Sequence, residues 1–327
     1  MTRFPPGSFP LERRVGAQVF RRTRPRRSVG NRTLVAVERG ALTVLETLAT
    51  ALLAAVSLAA LPAYAQDEVP DPRVVKLAEE FSDPLTTLPQ VFTQDAYTPA
   101  NYGTGAPANR VIARLIVPRI PKYSLLPFVQ LVRPSFSLVT VPTGRGGATQ
   151  TAFGDMQLLD LGVIPWPGRE TGLLMGVGPV FVFPTATARV AGHGAWEVGP
   201  AFGAVYKGLP GYIFGLLIQN PISFAYTARD RQSVGRLLVQ PIVLRYLWRG
   251  FYAKSGDATW AIDWRNGSST TLPLSFGFGY VLLRAGAPPI NLFVSGEWMA
   301  YRHDAPVAPQ TTVRFGMTIA FPDWRLW

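Results

Sequence analysis

Apolar and polar residues alternate singly along several segments of about ten residues, and this pattern limits the possible folds more than any other feature of the chain. In residues 271–280, for example, Leu272, Phe276 and Tyr280 fall on one face, while threonine, serine and glycine residues fall on the other. Side chains of a β-strand point alternately to its two faces, so the pattern predicts strands. The apolar faces are long enough to span a bilayer at a tilt, and the small or singly charged residues opposite them suit a narrow lumen.

The alternation predicts an all-β protein, a transmembrane antiparallel up-and-down β-barrel of about 12 strands. A soluble sheet with one wet face also alternates, but its wet face would carry more charge than these segments do. After residue 65 no stretch approaches 18 uninterrupted apolar residues, so helical spans are not expected. An even strand number suits a single-chain barrel. The candidate strands lie at 86–96, 109–119, 124–141, 152–164, 171–184, 196–207, 212–226, 234–248, 251–265, 270–284, 289–302 and 311–321.

The connections between these segments differ in length. Short turns in such barrels face the periplasm and longer loops face the outside. The expected periplasmic turns lie at 166–168, 208–211 and 286–289. The expected outer loops lie at 97–108, 142–151, 185–195, 227–233, 266–269 and 303–310.

Two candidate strands break the alternation. Arg236 and Arg245 fall on opposite faces of the same strand, and Asp160 falls on a face that should contact lipid. A β-bulge or a position near the membrane interface would accommodate each charge.

The chain divides into three parts. Residues 1–65 combine an arginine-rich extension with the apolar stretch 41–61, and they end in Ala63-Tyr64-Ala65, the pattern that signal peptidase reads. A membrane anchor is the alternative, but Glu46 leaves only about 15 clean apolar residues, short of a span. Residues 66–85 contain a possible helix at 71–81 and are expected to form either a plug or a periplasmic segment. Residues 86–327 are expected to form the barrel.

The charge balance excludes one class of partner. The formal net charge is +12, but ten of the 32 basic residues lie in the segment that is expected to be cleaved. The high pI is therefore no basis for nucleic-acid binding. The chain has no cysteine, which removes disulfides, thiolate metal sites and cysteine nucleophiles. We expect no cofactor and no metal.

Isolated charges on the inward faces of the predicted strands are the candidate functional residues. They could form a constriction that selects solute, as rings of charged side chains do in pores. Alternatively, they form an internal salt-bridge network that fills a narrow barrel. The candidate lumen-facing residues are Asp155, Glu197, Asp263, Arg265, Glu297 and Arg314.

The two histidines, His193 and His303, offer a weaker possibility. An enzyme at the barrel rim would need a histidine beside a serine such as Ser223 or beside an acid such as Asp304. Both histidines fall in predicted outer loops, and nothing in the sequence brings these groups together. We therefore expect loop histidines in solvent and no enzyme.

The chain carries short motifs in a fixed order: Phe153-Gly154-Asp155, Gly176-Val177-Gly178-Pro179, Trp196-Glu197-Val198-Gly199-Pro200, Gln240-Pro241, Asp263-Trp264 and Phe321-Pro322. In these motifs it resembles the bacterial outer-membrane proteins, transporter-like, that are catalogued under the meta-pathway of phenol degradation. The resemblance covers residues 85–322 and implies a barrel that takes up hydrophobic or aromatic compounds. Leu244 departs from the family, which has a polar residue at this position, and the tail 323–327 runs past the usual end.

Together, the pattern and the resemblance predict a channel for small hydrophobic or aromatic solutes in the bacterial outer membrane. The alternative is a closed structural or adhesive barrel that acts through its outer loops. The expected partners are outer-membrane lipid and, during biogenesis, signal peptidase and the barrel-assembly machinery.

Overall fold

The structure is a computed structural model, and it describes residues 71–86, 88–119, 129–143, 148–164 and 172–322. The leader 1–65, the turn at 166–168 and the tail 323–327 lie outside the described residues. In the part of the chain that is described, no helix is both long and apolar enough to cross a membrane.

The described residues form one α-helix and fifteen strands. The helix, α1 (Pro72–Ser82), begins where Asp71 accepts a hydrogen bond from Arg73 N at 2.9 Å, with proline in the first turn. A 3-10 helix covers Arg189–Ala191. The strands are β1 (Gln90–Thr98), β2 (Ala108–Arg119), β3 (Gln130–Pro142), β4 (Thr149–Phe153), β5 (Met156–Ile164), β6 (Leu173–Phe183), β7 (Ala195–Tyr206), β8 (Tyr212–Gln219), β9 (Ile222–Tyr226), β10 (Arg236–Trp248), β11 (Phe251–Lys254), β12 (Trp260–Asp263), β13 (Ser269–Leu282), β14 (Ile290–His303) and β15 (Thr311–Ala320).

The strands close into a barrel of twelve positions, because three positions are each occupied by two short strands. Both β4 and β5 pair with β3, both β8 and β9 pair with β7, and both β11 and β12 lie between β10 and β13. Every pairing is antiparallel, and the ring closes because β1 pairs with β15 and β8 pairs with β10. The prediction of an antiparallel barrel of about 12 strands with a short helix is confirmed.

The strand register separates an inward face from an outward face. On β1, Gln90, Gln94 and Thr98 point inward and are buried, whereas Tyr97 points outward and is exposed. The outward faces form an apolar belt, in which Phe315 is 62% exposed. Exposed aromatic residues lie near both ends of the belt, namely Trp196 and Trp298 at the end with longer loops and Tyr206 and Trp248 at the end with short turns.

The two irregular strands are accommodated without the bulge that the sequence allowed. From Arg236 to Arg245 the pairing of β10 is continuous, so the two arginines do lie on opposite faces. Arg236 points inward, and Arg245 points outward near the short-turn end, with its guanidinium 5.4 Å from the Tyr212 ring centre. Asp160 pairs with Val132 on the outward face of β5. Asp95 of β1 also points outward and is exposed.

The interior near the short turns is an apolar core. Inward residues such as Leu161, Ile213 and Leu244 pack with α1, whose Ala78 is fully buried. Val74 of α1 lies against Gly250 in the turn between β10 and β11. The helix therefore lies inside the short-turn end of the barrel.

Candidate functional site

The barrel wall folds inward between β11 and β12. Val243 N donates to Ser255 Oγ at 3.0 Å, which holds the first residue of this segment against β10. Gln94 Nε2 of β1 then donates to Asp257 Oδ2 at 2.9 Å. Since β13, β14 and β15 separate β12 from β1 around the ring, Asp257 reaches across the lumen. Residues 255–259 therefore narrow the interior.

Among the described residues, six charged side chains lie around Asp257 and Arg314, and we call these six the charged girdle. Arg314 Nη2 donates to Glu297 Oε2 at 2.7 Å, and both side chains are largely buried. Lys254 Nζ lies 3.3 Å from Asp257 Oδ2. Four of the six side chains thus form two ion pairs. The members of the girdle are Arg114, Arg133, Lys254, Asp257, Glu297 and Arg314.

Two phenylalanines support the cations of the girdle. The Phe92 and Phe293 rings stack with centroids 5.8 Å apart. The Arg114 guanidinium lies 5.1 Å from the Phe92 ring centre, and Lys254 Nζ lies 3.6 Å from that of Phe293. Cation–π contacts of this kind stabilise a desolvated cation. Cationic groups of the barrel itself therefore already contact both aromatic rings.

Arg114 and Arg133 have no carboxylate partner. Among the described residues, none of the ion pairs within 4.0 Å includes either guanidinium. Arg133 Nε is also buried, and it has no hydrogen-bond partner among the described residues. The girdle therefore carries an uncompensated positive charge. A buried cation without a counter-charge is costly.

A cavity of about 70 Å³ lies between the girdle and α1. Arg114, Arg133, Lys254 and Asp257 line it on one side. Phe81, Ser82, Asp83 and Pro84, at the end of α1, line it on the other. The two unpaired arginines therefore face a space that the end of α1 closes.

We call residues 71–86 the inner segment, and side chains hold it in place. Leu85 is buried against Gly176 and Gly203, where a Cβ on either glycine would lie within 3.0 Å of the leucine. Lys207, just beyond β7, lies 2.5 Å from Asp83 Oδ2 and 3.1 Å from Glu80 Oε1. Burial alone would lower the pKa of Lys207, but Asp83 and Glu80 outweigh it and raise that pKa above its ordinary value. The ammonium is therefore charged throughout the physiological pH range.

A histidine joins the wall to the outer loop between β6 and β7. His193 Nδ1 lies 2.6 Å from Glu197 Oε1, and Arg236 Nη1 donates to His193 Nε2 at 3.0 Å. An arginine can only donate, so Nε2 accepts and the Nδ1–H group donates to Glu197 Oε1. Asp155 accepts from His193 N at 2.6 Å and from Ala186 N at 3.1 Å, which fixes the loop.

The six residues predicted to face the lumen lie on inward strand faces, against an outer loop, and around the turn that follows β12. Glu197, Glu297 and Arg314 point inward from strands, and the last two form an ion pair. Asp155 anchors the outer loop just described. Asp263 ends β12 opposite the inward-pointing Arg236, and its Oδ1 accepts from Asn266 N at 3.1 Å. Arg265 lies in the turn that follows and donates from Nη1 to Ser223 O at 3.0 Å. A role for these six in selecting solute stays a prediction.

Four girdle residues were not among those candidates. Nothing in the sequence marks the inward fold that carries Asp257 across the lumen. Arg114 and Arg133 lie on β2 and β3, where the alternation is interrupted more often. Lys254 is the last residue of β11, and the break after it was not visible in the pattern.

The serine of the suggested rim enzyme is hydrogen-bonded to groups other than a histidine. Ser223 Oγ is hydrogen-bonded to Tyr226 Oη at 2.8 Å and accepts from Val234 N at 2.9 Å. His303 Nε2 lies 3.3 Å from Asp304 Oδ2 in an exposed loop. Among the described residues, no hydrogen bond joins Ser223 to either histidine, and no group of three or more His, Asp or Glu side chains could hold a metal ion.

The fold and its surfaces define the class of protein. A closed barrel satisfies every strand hydrogen bond internally, as a bilayer requires. An apolar outward belt with aromatic residues at both ends and a charged interior are the features of transmembrane barrels in the bacterial outer membrane. The chain is therefore an outer-membrane β-barrel.

Comparison with known proteins finds likeness only among solved structures. No protein-family model matches the sequence, and no curated protein matches it. An outer-membrane channel from Pseudomonas putida F1 is similar at 14% identity and a TM-score of 0.48, covering 73% of this chain and 98% of that one. The KdgM porin is similar at 6% identity and a TM-score of 0.40, covering 71% of this chain and 99% of the porin. Because these values are low, we derive function from the barrel's own residues.

Proposed function

We propose that this chain is an outer-membrane channel for small solutes, and that the inner segment is its plug. The observation that carries the proposal is the cavity between α1 and the charged girdle. A barrel that served only as a scaffold would have no use for two unpaired arginines facing an internal space, since apolar side chains of the same volume would fill it at lower cost.

The attachment of the inner segment supports a removable plug. The backbone hydrogen bonds described for this segment outside its helix, such as Thr86 N to Asp83 O at 3.2 Å, close within the segment itself. Its attachment to the wall rests on side chains: the apolar face of α1, Leu85, and the pairs that Lys207 makes with Asp83 and Glu80. Release of the segment would therefore leave the strand ladder of the barrel intact.

For the solute we propose small hydrophobic or aromatic compounds, as the family resemblance implies. The apolar core at the short-turn end supports this choice. With the inner segment displaced, residues such as Leu159, Leu161 and Leu217 would line the exit to the periplasm. An apolar part of a solute would cross this half of the lumen more easily than a fully hydrated ion would.

Conductance tests the proposal. The mature chain from Gln66 is refolded in a planar bilayer as the wild type, as K207M and as R73Q. Arg73 pairs with Asp71 at the exposed start of α1. R73Q is therefore a matched loss of one positive charge that leaves the pairs of Lys207 with Asp83 and Glu80 intact. We expect brief openings for the wild type and R73Q, and longer or more frequent openings for K207M.

The alternative is a closed structural or adhesive barrel, and the packed apolar core around α1 is the observation that favours it. This alternative requires silent membranes for all three proteins, with folding confirmed by a heat-dependent gel shift. That result would overturn the channel and direct attention to the outer loops.

A further inference from the structure

The charge of the cavity lining determines what the cavity can bind. Lys254 and Asp257 neutralise each other at 3.3 Å, and Asp83 on the opposite wall pairs with Lys207 at 2.5 Å. Arg114 and Arg133 remain, and both lack a carboxylate partner among the described residues. The cavity therefore carries a surplus of positive charge at two adjacent strands, β2 and β3.

We propose that this cavity binds the carboxylate group of a small organic acid, held by Arg114 and Arg133. The inference rests on the proposed function and narrows its solutes to those that carry a negative charge. A guanidinium presents a planar fork of donors that matches the two oxygens of a carboxylate. Arg133 Nε, buried and without a hydrogen-bond partner, is a donor that such a carboxylate would satisfy.

The size of the cavity agrees with a carboxylate. A cavity of about 70 Å³ has room for a carboxylate group, since about 10–15 Å³ of cavity on this measure already admits a water molecule. The remainder of the solute would extend toward the outer side of the girdle or displace the end of α1.

Neighbouring groups favour an anion over an uncharged aromatic solute. The Phe92 and Phe293 rings line the cavity, but Arg114 and Lys254 already cover their faces. An aromatic solute that relied on stacking alone would have to displace these cations. Gln90, Gln240 and Asn291 complete the lining with groups that can donate to an anion's remaining lone pairs.

The test compares three compounds of similar size: benzoate, benzyl alcohol and benzylammonium. Binding to the folded, mature chain in detergent micelles is measured by isothermal titration, which does not require the channel to open. The variants are R114Q/R133Q, R114K/R133K and the control R189Q. Arg189 lies in an exposed outer loop and pairs with Asp230 at 2.7 Å, far from the girdle.

We expect benzoate to bind the wild type and R189Q at least tenfold more tightly than benzyl alcohol or benzylammonium. R114Q/R133Q should lose at least tenfold in benzoate affinity, and R114K/R133K should lose less, because it keeps the charge but not the fork. If the glutamine variant does not fold, the preference of the wild type among the three compounds decides whether the cavity is a carboxylate site.

Three results would overturn the inference: no benzoate binding to the wild type, equal binding of benzylammonium, or full benzoate affinity in a folded R114Q/R133Q variant. Failure here is distinguishable from failure of the channel. A membrane that stays silent for a protein that binds benzoate would remove the transport role and leave the carboxylate site standing.

Discussion

Lys207 and Asp83 form a buried ion pair at 2.5 Å that joins the inner segment to the barrel wall. Their side chains are only 8% and 2% exposed. Removing one partner of such a pair leaves an uncompensated buried charge, at a cost of about 3–5 kcal/mol. Because both side chains are buried and carry opposite charges, we take this pair as the latch between the segment and the wall.

The first prediction concerns the mobility of α1. In K207M, the buried charges of Asp83 and Glu80 lose their counter-ion, so α1 should open locally far more often than in the wild type. We expect amide hydrogen exchange of residues 72–82 to be at least about a hundredfold faster. R73Q should leave exchange near the wild-type rate, since an exposed pair contributes about 0–1 kcal/mol. Unchanged exchange in K207M would show that Lys207 is not the latch.

The second prediction concerns pH. The pKa of Lys207 is raised in the folded protein above the ordinary value of 10.5. A group of this kind contributes its full stability below its unfolded pKa and loses it as pH rises through the folded pKa. Conductance of the wild type should therefore be constant from about pH 7 to about pH 10 and increase at higher pH. K207M should lack this alkaline step, and a similar step in K207M would assign it to another group.

The third prediction concerns the inward fold between β11 and β12. Gly256 has a φ of +71°, and a Cβ there would lie 2.2 Å from Ser275 Oγ. G256A should lower the free energy of unfolding by about 2 kcal/mol or more, because backbone strain of about 1–2 kcal/mol adds to the clash. Gly267 has a φ of +67° with open space around it, so G267A should show the backbone cost alone. Urea titration in phospholipid vesicles gives the free energy of unfolding of both variants. An equal decrease for G256A and G267A would show that the contact with Ser275 adds nothing to the backbone strain.

The fourth prediction concerns the lipid face. Asp95 lies between Val111 and Phe315 on the outward surface of β1, where a carboxylate is unfavourable. D95V should raise the free energy of unfolding in vesicles by up to about 2 kcal/mol. D230N, a matched loss of charge in an outer loop, should change it by less than about 0.5 kcal/mol. Destabilisation by D95V would indicate that Asp95 has a partner within the membrane.

Much of the barrel could be predicted from the sequence because its strands alternate. In β13, Leu274, Phe276 and Phe278 share the outward face as the pattern requires. The breaks within three strand positions were not predicted. The segment 212–226 reads as one strand, but Pro221 cannot donate a ladder hydrogen bond, and Asn220 O lies where a Cβ on Gly199 would be.

The charged girdle was only partly predictable, and the reason is topological. Alternation gives the face on which a residue lies, and it placed Glu297 and Arg314 together on the inside. It does not say which strands face each other across the lumen. Gln94 contacts Asp257 only because the ring closes and the wall folds inward at Gly256, and no local pattern contains that information.

The most direct test of the plugged channel is a reversible tether. The chain has no cysteine, and Leu85 packs against Gly203 in the wall, so the double variant L85C/G203C should form one disulfide between the inner segment and β7. Conductance of this variant is recorded in a planar bilayer before and after a reducing agent is added, with the wild type as control. We predict a silent membrane while the tether is oxidised and discrete openings once it is reduced. Equal conductance in both states would contradict the account, because it would show that solutes pass without movement of the inner segment.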